Sequence, residues 1–93
     1  MKLLVFSAEW CQPCKRLHGF LNRYLEEHPT LKGKLVEFDI ERDADLSVAE
    51  GFKVMSIPTM IIVEDNEAGF GIEVDRHSGT ITLPSFEKFI AGL

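Results

Sequence analysis

Hydrophobic residues follow two different periods along this chain, and the alternation of these periods predicts an α/β protein. Short apolar runs occupy positions 3–6 and 60–63, and a similar run with charged residues inside it occupies 35–40. Runs of this length are typical of strands that are buried in a sheet. Between positions 13 and 27, apolar residues instead recur every three or four positions, which predicts an amphipathic helix packed on that sheet.

The remaining segments complete an order of strand, helix, strand, helix, strand, strand and helix. A short second helix is predicted at 44–50, and Gly51 should stop it. Residues 71–75 alternate like an antiparallel edge strand, after a turn at 65–69. Thr82 is a suitable cap for the last helix. We expect the first strand, helix and strand to form a right-handed parallel crossover.

Composition limits the class of protein and its partners. The chain has 93 residues, 45% hydrophobic and 27% charged, as expected of one soluble domain spanning 1–93. A net charge of -5 without any Lys or Arg cluster argues against a nucleic-acid partner. No apolar stretch is long enough to predict a membrane span. Because no export signal is recognisable, we expect the chain to stay in the cytoplasm, a reducing compartment. We also expect it to be a monomer.

The candidate chemistry lies in Cys11 and Cys14, the only two cysteines of the chain. They stand where the first strand should give way to the first helix, and at this spacing they can form a disulfide or remain two thiols. The start of that helix directs its unpaired N–H groups and positive dipole end at Cys11, which favours the thiolate. Pro13 suits the first helical turn, where no N–H is needed. The pair therefore indicates thiol–disulfide exchange.

Two other interpretations of the cysteine pair are less favoured. A structural zinc site needs four ligands, and the chain offers only His18, His28 and His77 besides the cysteines, without a second pair at zinc-like spacing. We expect His18 on the polar side of its helix and His77 in an exposed loop. A purely structural disulfide is disfavoured because so short a loop restrains the unfolded chain little.

Pro58 directly precedes the apolar strand at 60–63. X–Pro is the one bond at which a cis peptide costs little, and a cis Ile57–Pro58 bond would make a sharp bend. A trans proline that simply opens a strand is an equally good interpretation of these residues alone.

The segment 10–15, Trp-Cys-Gln-Pro-Cys-Lys, is followed about 45 residues later by Ile-Pro-Thr at 57–59, and together they resemble the thioredoxin family. Further segments at 38–41 and 78–79 and the closing helix fall in family order. The resemblance implies a thioredoxin-like fold, with a four-stranded mixed sheet of order 2-1-3-4 flanked by three helices. The extra N-terminal strand and helix would be missing, as in a short, glutaredoxin-sized thioredoxin.

The resemblance also implies a function and a site. A thioredoxin reduces protein disulfides: Cys11 would attack the substrate and Cys14 would then release it. Electrons would come from NADPH through a separate thioredoxin reductase, with no bound cofactor, since the chain has no Gly-rich nucleotide motif. The Ile57–Pro58 bond would be cis and would pack against both sulfurs. The substrate groove would be formed by Trp10, Gln12, Pro13, Ile57, Pro58 and Gly79.

Three residues depart from the family pattern. Gln12 replaces a common glycine, so the reduction potential should differ from that of a typical thioredoxin. Val5 stands where many thioredoxins bury an aspartate, and Glu37 stands where they carry a lysine. We therefore expect Glu37 to supply a buried carboxylate that accepts the proton of Cys14 through a water. The alternative is that Glu37 points to solvent.

Two rival functions stay open at this point. Glutaredoxins, which use glutathione, usually carry Cys-Pro-Tyr-Cys and a later Gly-Gly-Asp turn, whereas this chain has Cys-Gln-Pro-Cys and Arg-His-Ser-Gly-Thr at 76–80. The motif disfavours glutathione, but the short length of the chain fits a glutaredoxin. A non-catalytic binding module on the same scaffold is the second rival.

Overall fold

The computed structural model describes residues 1–66 and 69–93, which form a mixed β-sheet with helices on both faces. The elements in chain order are β1 (Lys2–Ser7), α1 (Gln12–Glu27), a 3-10 helix (Pro29–Lys34), β2 (Leu35–Asp39), α2 (Asp43–Gly51), β3 (Thr59–Asn66), β4 (Gly69–Ser78) and α3 (Leu83–Phe89). The strand order is β2-β1-β3-β4, with β1 and β2 parallel and the other pairs antiparallel. The predicted order 2-1-3-4 is therefore confirmed.

Strand β1 lies inside the sheet, and its side chains alternate between two buried layers. Leu3 and Val5 pack on one face with residues of α1 and α3, while Leu4 and Phe6 pack on the other face with Ala49 of α2. All four β1 side chains are buried. Because both faces of β1 are covered, the strand holds the loop that follows Ser7 in a fixed position.

Helix α1 packs one stripe of side chains against the sheet, as its sequence period predicts. The buried positions are Cys14, Leu17, Leu21 and Leu25, three or four residues apart. Cys11 is the N-cap, and a proline lies in the first turn of the helix. The helix thus begins at the first cysteine and carries the second cysteine on its buried face.

Helix α2 ends differently from the prediction. Gly51 was expected to stop it, but the helix includes Gly51 and ends in a turn centred on Lys53, whose φ is 56°. The Lys53 N–H donates to Glu50 O at 3.0 Å, and the Val54 N–H donates to Ala49 O at 2.9 Å. This pair of bonds is the Schellman motif, in which glycine usually occupies the left-handed position.

Strands β3 and β4 are longer than predicted. Each strand extends beyond both ends of its predicted range, 60–63 for β3 and 71–75 for β4. The residues added to β3 after Val63 are exposed, but the strand continues to pair with β4 there. Residues 67 and 68 of the predicted turn lie outside the described residues. The register shifts beside Val63, where a Cβ added to Gly71 would overlap the carbonyl oxygen of Glu64.

Helix α3 closes the first of the two buried layers. The Thr82 hydroxyl accepts a hydrogen bond from the Ser85 N–H at 3.4 Å, so the predicted cap is confirmed. Phe86 and Ile90 are buried against α1 and the sheet. Across 1–66 and 69–93, no helix has the length and apolar character needed to cross a membrane.

Candidate active site

The two cysteines form a disulfide at the junction of β1 and α1, with their Cα atoms 5.2 Å apart. Cys11 is the N-cap of α1, and the Cys14 N–H donates to its Sγ at 3.3 Å. Cys11 retains 5% exposure while Cys14 has none. The cysteine at the helix N-terminus is therefore also the more accessible of the two, which suits it to be the attacking thiolate.

The segment before β3 closes over this disulfide. The Ile57–Pro58 peptide bond is cis, as the family resemblance implied. The Sγ of Cys11 lies 3.9 Å from Ile57 O, and the Ile57 side chain packs on the buried cluster formed by Ala8 and the two cysteines. Residues 46 positions apart in the chain thus meet at one disulfide.

Gly79 holds the proline segment from the opposite side. Its N–H donates to Pro58 O at 2.8 Å, and its φ of 88° lies in the region that favours glycine. The Thr59 hydroxyl donates to Ser56 O at 2.6 Å, which fixes the other end of the same bend. Gly79 is therefore joined to the cis-proline bend by a backbone hydrogen bond to Pro58.

Trp10 and Gln12 are exposed on either side of Cys11, and Pro13 is half-buried. Trp10 exposes 65% of its surface, which is unusual for so large an apolar side chain. The loop before it is fixed by the Glu9 N–H, which donates to Glu41 Oε1 at 3.2 Å. The indole ring of Trp10 is thus exposed to solvent at the position next to Cys11 in the chain.

Sequence reasoning missed Met55, which lies two residues before Ile57 and exposes 92% of its surface. Methionine is an adaptable apolar side chain that is frequent at binding surfaces. Met55 lies in an irregular segment between α2 and β3, where no hydrophobic period applies, so nothing in the sequence distinguishes it from a core methionine such as Met60.

Glu37 does not occupy the buried position that was expected of it. Its neighbour across the strands is Val5, but its side chain is exposed. The physical reason is the position of β2 at the end of the described sheet, where the outer side of the strand is left open. The burial that the Glu37 hypothesis required is therefore contradicted.

His18, which was expected to be solvated, instead lies half-buried against β1. Its Nε2 is 3.2 Å from the hydroxyl oxygen of Ser7, a buried side chain with 6% exposure at the end of that strand. The signal was present in the sequence, since His18 lies four residues after Cys14 and shares its helix face. What the sequence did not show was that Ser7 would be its partner.

The other two histidines lie away from the disulfide. His77 belongs to β4 rather than to a loop, and its Nε2–H donates to Thr80 O at 2.9 Å. His28 is exposed at the end of α1, where its Nδ1–H donates to Tyr24 O at 3.0 Å. Among the residues that the structure describes, no group of three or more His, Cys, Asp or Glu side chains could hold a metal ion.

The chemistry of this site is carried by the disulfide itself. A cystine that closes one helical turn can open and re-form with little movement of the backbone, and the helix N-terminus stabilises the thiolate that opening creates. Together with the four-stranded sheet and the cis-proline bend, these features define a thiol–disulfide oxidoreductase with a thioredoxin-like fold.

Comparison with known proteins gives the same result from the sequence. The family model described as Thioredoxin matches residues 1–92, so the chain belongs to the thioredoxin family. A thioredoxin of Chlamydia muridarum is 39% identical over 89 residues, covering 96% of this chain and 78% of the relative. Thioredoxin X of Arabidopsis thaliana, a chloroplastic protein, is 31% identical and covers 98% of this chain and 47% of the relative.

Solved structures share the fold. The thioredoxin of Fasciola hepatica aligns with a TM-score of 0.75 at 25% identity, covering 96% of this chain and 76% of that one. Mitochondrial thioredoxin 3 of Saccharomyces cerevisiae, in its oxidised form, aligns with a TM-score of 0.74 at 25% identity, covering 98% and 76%. The chain is therefore a dithiol oxidoreductase of the thioredoxin type, with protein-disulfide reductase activity.

Proposed function

We propose that this protein reduces disulfides in other proteins and is itself reduced by a thioredoxin reductase that draws on NADPH. The observation that carries the proposal is the difference between the two sulfurs, one at the helix N-terminus and accessible, the other fully buried. An attacking thiol that is slightly accessible and a second thiol that is fully buried suit a two-step exchange, in which the protein must not stay bound to its substrate.

In the first step, the Cys11 thiolate attacks one sulfur of the substrate disulfide. A mixed disulfide forms, and the other substrate sulfur leaves as a thiolate with the electron pair of the broken bond. Cys14 then attacks the Sγ of Cys11, and the second substrate thiol is released. Two electrons pass to the substrate, and the protein is left with the Cys11–Cys14 disulfide seen in the structure.

The substrate would bind across the cis-proline bend. We assign Trp10, Gln12 and Pro13 to one side of this groove and Ile57, Pro58 and Gly79 to the other. The support is geometric: Ile57 packs on the cysteine cluster, Gly79 is hydrogen-bonded to Pro58, and Trp10 is exposed beside Cys11. Backbone atoms of Ile57 would bind an extended segment of the substrate, which suits a reductase that acts on many sequences.

The reaction returns the protein to its dithiol only if another molecule supplies two electrons. A flavin or nicotinamide bound by a Gly-rich loop would be one source, but the sequence has no such motif. A separate reductase is the source that the family membership supports. We place the reaction in the cytoplasm, because a dithiol remains reduced and useful as a reductant in that compartment.

The test is reduction of insulin disulfides with two alternative electron sources: thioredoxin reductase with NADPH, and glutathione with glutathione reductase. We expect turnover with the first source. Cys11→Ser should abolish turnover, and Cys14→Ser should stop at a mixed disulfide that a mass spectrum detects.

Each rival predicts a different outcome of the same experiment. Turnover with glutathione alone would assign the protein to the glutaredoxin class of activity. A third outcome is that the wild-type protein shows no insulin reduction with either electron source, while a Cys11→Ser, Cys14→Ser variant keeps full biological activity. That result would identify the protein as a binding module.

A further inference from the structure

We propose that His18, held in place by Ser7, accepts the proton that Cys14 loses when it resolves the mixed disulfide. This inference rests on the proposed function, since it concerns the second step of the same exchange. It assigns a role to a polar pair between the last residue of β1 and the buried side of α1, which the mechanism described so far does not use.

The need for a proton acceptor follows from burial. Only a thiolate attacks a disulfide at a useful rate, and Cys14 has no exposed surface from which water could remove its proton. At the paired position of β1 and β2 there is no buried acid, because Val5 is apolar and Glu37 is exposed. The acceptor must therefore come from another element that reaches the buried side of the cysteine.

The geometry of α1 directs His18 toward this position. Cys14 and His18 are four residues apart in α1. Residues at that spacing lie on one face of a helix, with Cβ atoms about 5–6 Å apart in general. Helical side chains lean toward the N-terminus of their helix, so the imidazole leans back over the turn that contains Cys14. Its contact with Ser7 agrees, because the next residue, Ala8, packs in the same buried cluster as both cysteines.

Ser7 suits the imidazole in both of its protonation states. A neutral imidazole has one nitrogen with a proton and one without, and a hydroxyl can donate to or accept from a ring nitrogen. After the ring accepts a proton, both nitrogens carry hydrogen, and Nε2–H donates to the Ser7 oxygen 3.2 Å away. Because Ser7 is buried and cannot move into solvent, it also fixes the orientation of the ring.

A cavity beside the pair gives the proton a route to solvent. It has a volume of about 460 Å³, and Ser7, Ala8 and His18 are among the residues that line it. The charged residues that line the rest of the cavity are Glu9, Lys15, Glu37, Asp39, Arg42 and Asp45.

Two of these carboxylates are already engaged by backbone groups. Asp45 accepts from the Asp39 N–H at 2.9 Å, and Asp39 accepts from the Glu41 N–H at 3.0 Å. Asp39 ends β2 and Asp45 lies in the first turn of α2, and these bonds hold both side chains at the connection between the two elements. His18 is the titratable group that shares a helix face with Cys14, which is why we assign the proton to it.

The proposed step is balanced within the site. The proton leaves the Sγ of Cys14 and binds the unprotonated ring nitrogen of His18. The Cys14 thiolate then forms a bond to the Sγ of Cys11, and the bond between Cys11 and the substrate breaks with its electron pair going to the substrate sulfur. The substrate thiolate takes up a proton from water, and His18 returns its proton to solvent through the cavity.

The experiment separates the two steps by stopped-flow reaction of the reduced protein with the aromatic disulfide dithiobis(nitrobenzoate). The first phase of thionitrobenzoate release reports attack by Cys11, and the second reports resolution by Cys14. Both phases are measured from pH 5 to pH 9 for the wild type, His18→Gln and Ser7→Ala. His28→Gln is the matched control, because it removes the other histidine of the α1 region.

We expect His18→Gln to slow the second phase by at least about tenfold near pH 6.5 and to leave the first phase unchanged. The wild-type second phase should rise with pH across the range in which imidazoles titrate and then level off. The His18→Gln rate should keep rising and approach the wild type at high pH, where hydroxide replaces the base. Ser7→Ala should give an intermediate rate, and His28→Gln should match the wild type.

A second phase that is unchanged in His18→Gln, or slowed equally at every pH, would overturn the inference and leave the proposed function intact. Absence of the first phase in the wild type would instead contradict the proposed function. Histidine-ring NMR of the wild-type protein gives a check that does not depend on a variant folding. At a fixed pH, the ring signals of His18, unlike those of His28, should differ between dithiol and disulfide, and identical His18 signals in the two states would also overturn the inference.

Discussion

Lys53 adopts a backbone conformation that its own side chain disfavours. With φ at 56° it occupies the position of the Schellman turn where glycine is usual, and a residue with a Cβ loses about 1–2 kcal/mol there. A glycine at this position would avoid that loss but would offset about 0.5–1 kcal/mol of the gain, because the unfolded chain has greater conformational entropy with glycine. We therefore expect Lys53→Gly to raise the free energy of unfolding by about 0.5–1 kcal/mol, measured by urea denaturation.

Lys53→Ala is the matched control for this prediction. It removes the same charge but keeps the Cβ, so its free energy of unfolding should stay within about 0.5 kcal/mol of the wild type. An equal gain in both variants would show that the lysine charge, and not the backbone conformation, is responsible.

At the scale of single residues, the sequence predicted those whose role depends on local spacing. Cys11 and Cys14 could be identified as a redox pair because they are three residues apart at the start of a helix, and this spacing fixes the distance between them. Glu37 and His18 could not, because their burial depends on which strand ends the sheet and on what α1 packs against. Residue type alone cannot distinguish an open edge from a covered one.

The hairpin of β3 and β4 has one position, Gly71, where the close approach of the two strands leaves no room for a side chain. Gly71 faces the Glu64 carbonyl where the register shifts, and an added Cβ would overlap that oxygen. We expect Gly71→Ala to lower the free energy of unfolding by about 1–3 kcal/mol, because one strand must move. Gly19→Ala in α1 has open space for its Cβ and should instead raise it by up to about 1 kcal/mol.

Both variants are compared by urea denaturation with the wild type. If Gly71→Ala were as stable as the wild type, the close approach of the two strands would not constrain that position. If Gly19→Ala were destabilising as well, the effect of alanine would be general and would say nothing about the hairpin.

Strand β4 is also tied to α2 by Arg76. Its guanidinium donates to Glu73 at 2.6 Å and to Phe52 O, at the end of α2, at 2.7 Å. The hydrogen bond from Arg76 holds the pKa of Glu73 below its ordinary value of 4.5. A carboxyl whose pKa is lowered on folding stabilises the protein above its ordinary pKa, and this contribution is lost as the pH falls through the folded value.

We therefore expect Glu73→Gln to be less stable than the wild type at pH 7, by no more than about 1 kcal/mol, because both side chains are about one-third exposed. The difference should shrink as the pH falls below about 4.5 and should also shrink at high salt. Thermal unfolding of both proteins between pH 3 and pH 7 measures it. A difference that stays constant over this range would contradict the ion pair as its cause.

At the scale of elements, the sequence predicted which segments are strands and helices better than where they end. The buried parts of β1, β3 and α1 carry a clear hydrophobic period, and all were found. The ends of β3 and β4 lie beyond the core, where backbone pairing rather than side-chain burial extends them. The end of α2 was misjudged because a lysine, not a glycine, takes the left-handed position.

The whole molecule consists of two buried layers that share one sheet. The larger layer lies between the sheet, α1 and α3, and the smaller lies between the sheet and α2. The cysteines belong to a third, small cluster at the end of β1. The resemblance to the family predicted the strand order and the position of the site together, because the motifs at 10–15 and 57–59 lie next to the ends of β1 and β3.

This separation of core and site leads to the last prediction. Phe86 is fully buried in the larger layer, with its ring edge-to-face against Phe20 at 5.2 Å and Tyr24 at 5.0 Å. Removing it leaves a cavity between α1 and α3, so Phe86→Ala should lower the free energy of unfolding by about 3–5 kcal/mol. That is a large part of the 5–15 kcal/mol typical of a domain.

Leu83→Ala is the control on the same helix, because Leu83 is 47% exposed and its loss should cost less than about 0.5 kcal/mol. In the folded fraction of Phe86→Ala, the rate at which Cys11 attacks a disulfide should match the wild type, since the two residues lie in different clusters. Urea denaturation and stopped-flow thiol kinetics measure the two quantities independently. A slower attack in the folded Phe86→Ala protein would mean that the packing of α3 positions the helix N-terminus, and that core and site are coupled through α1.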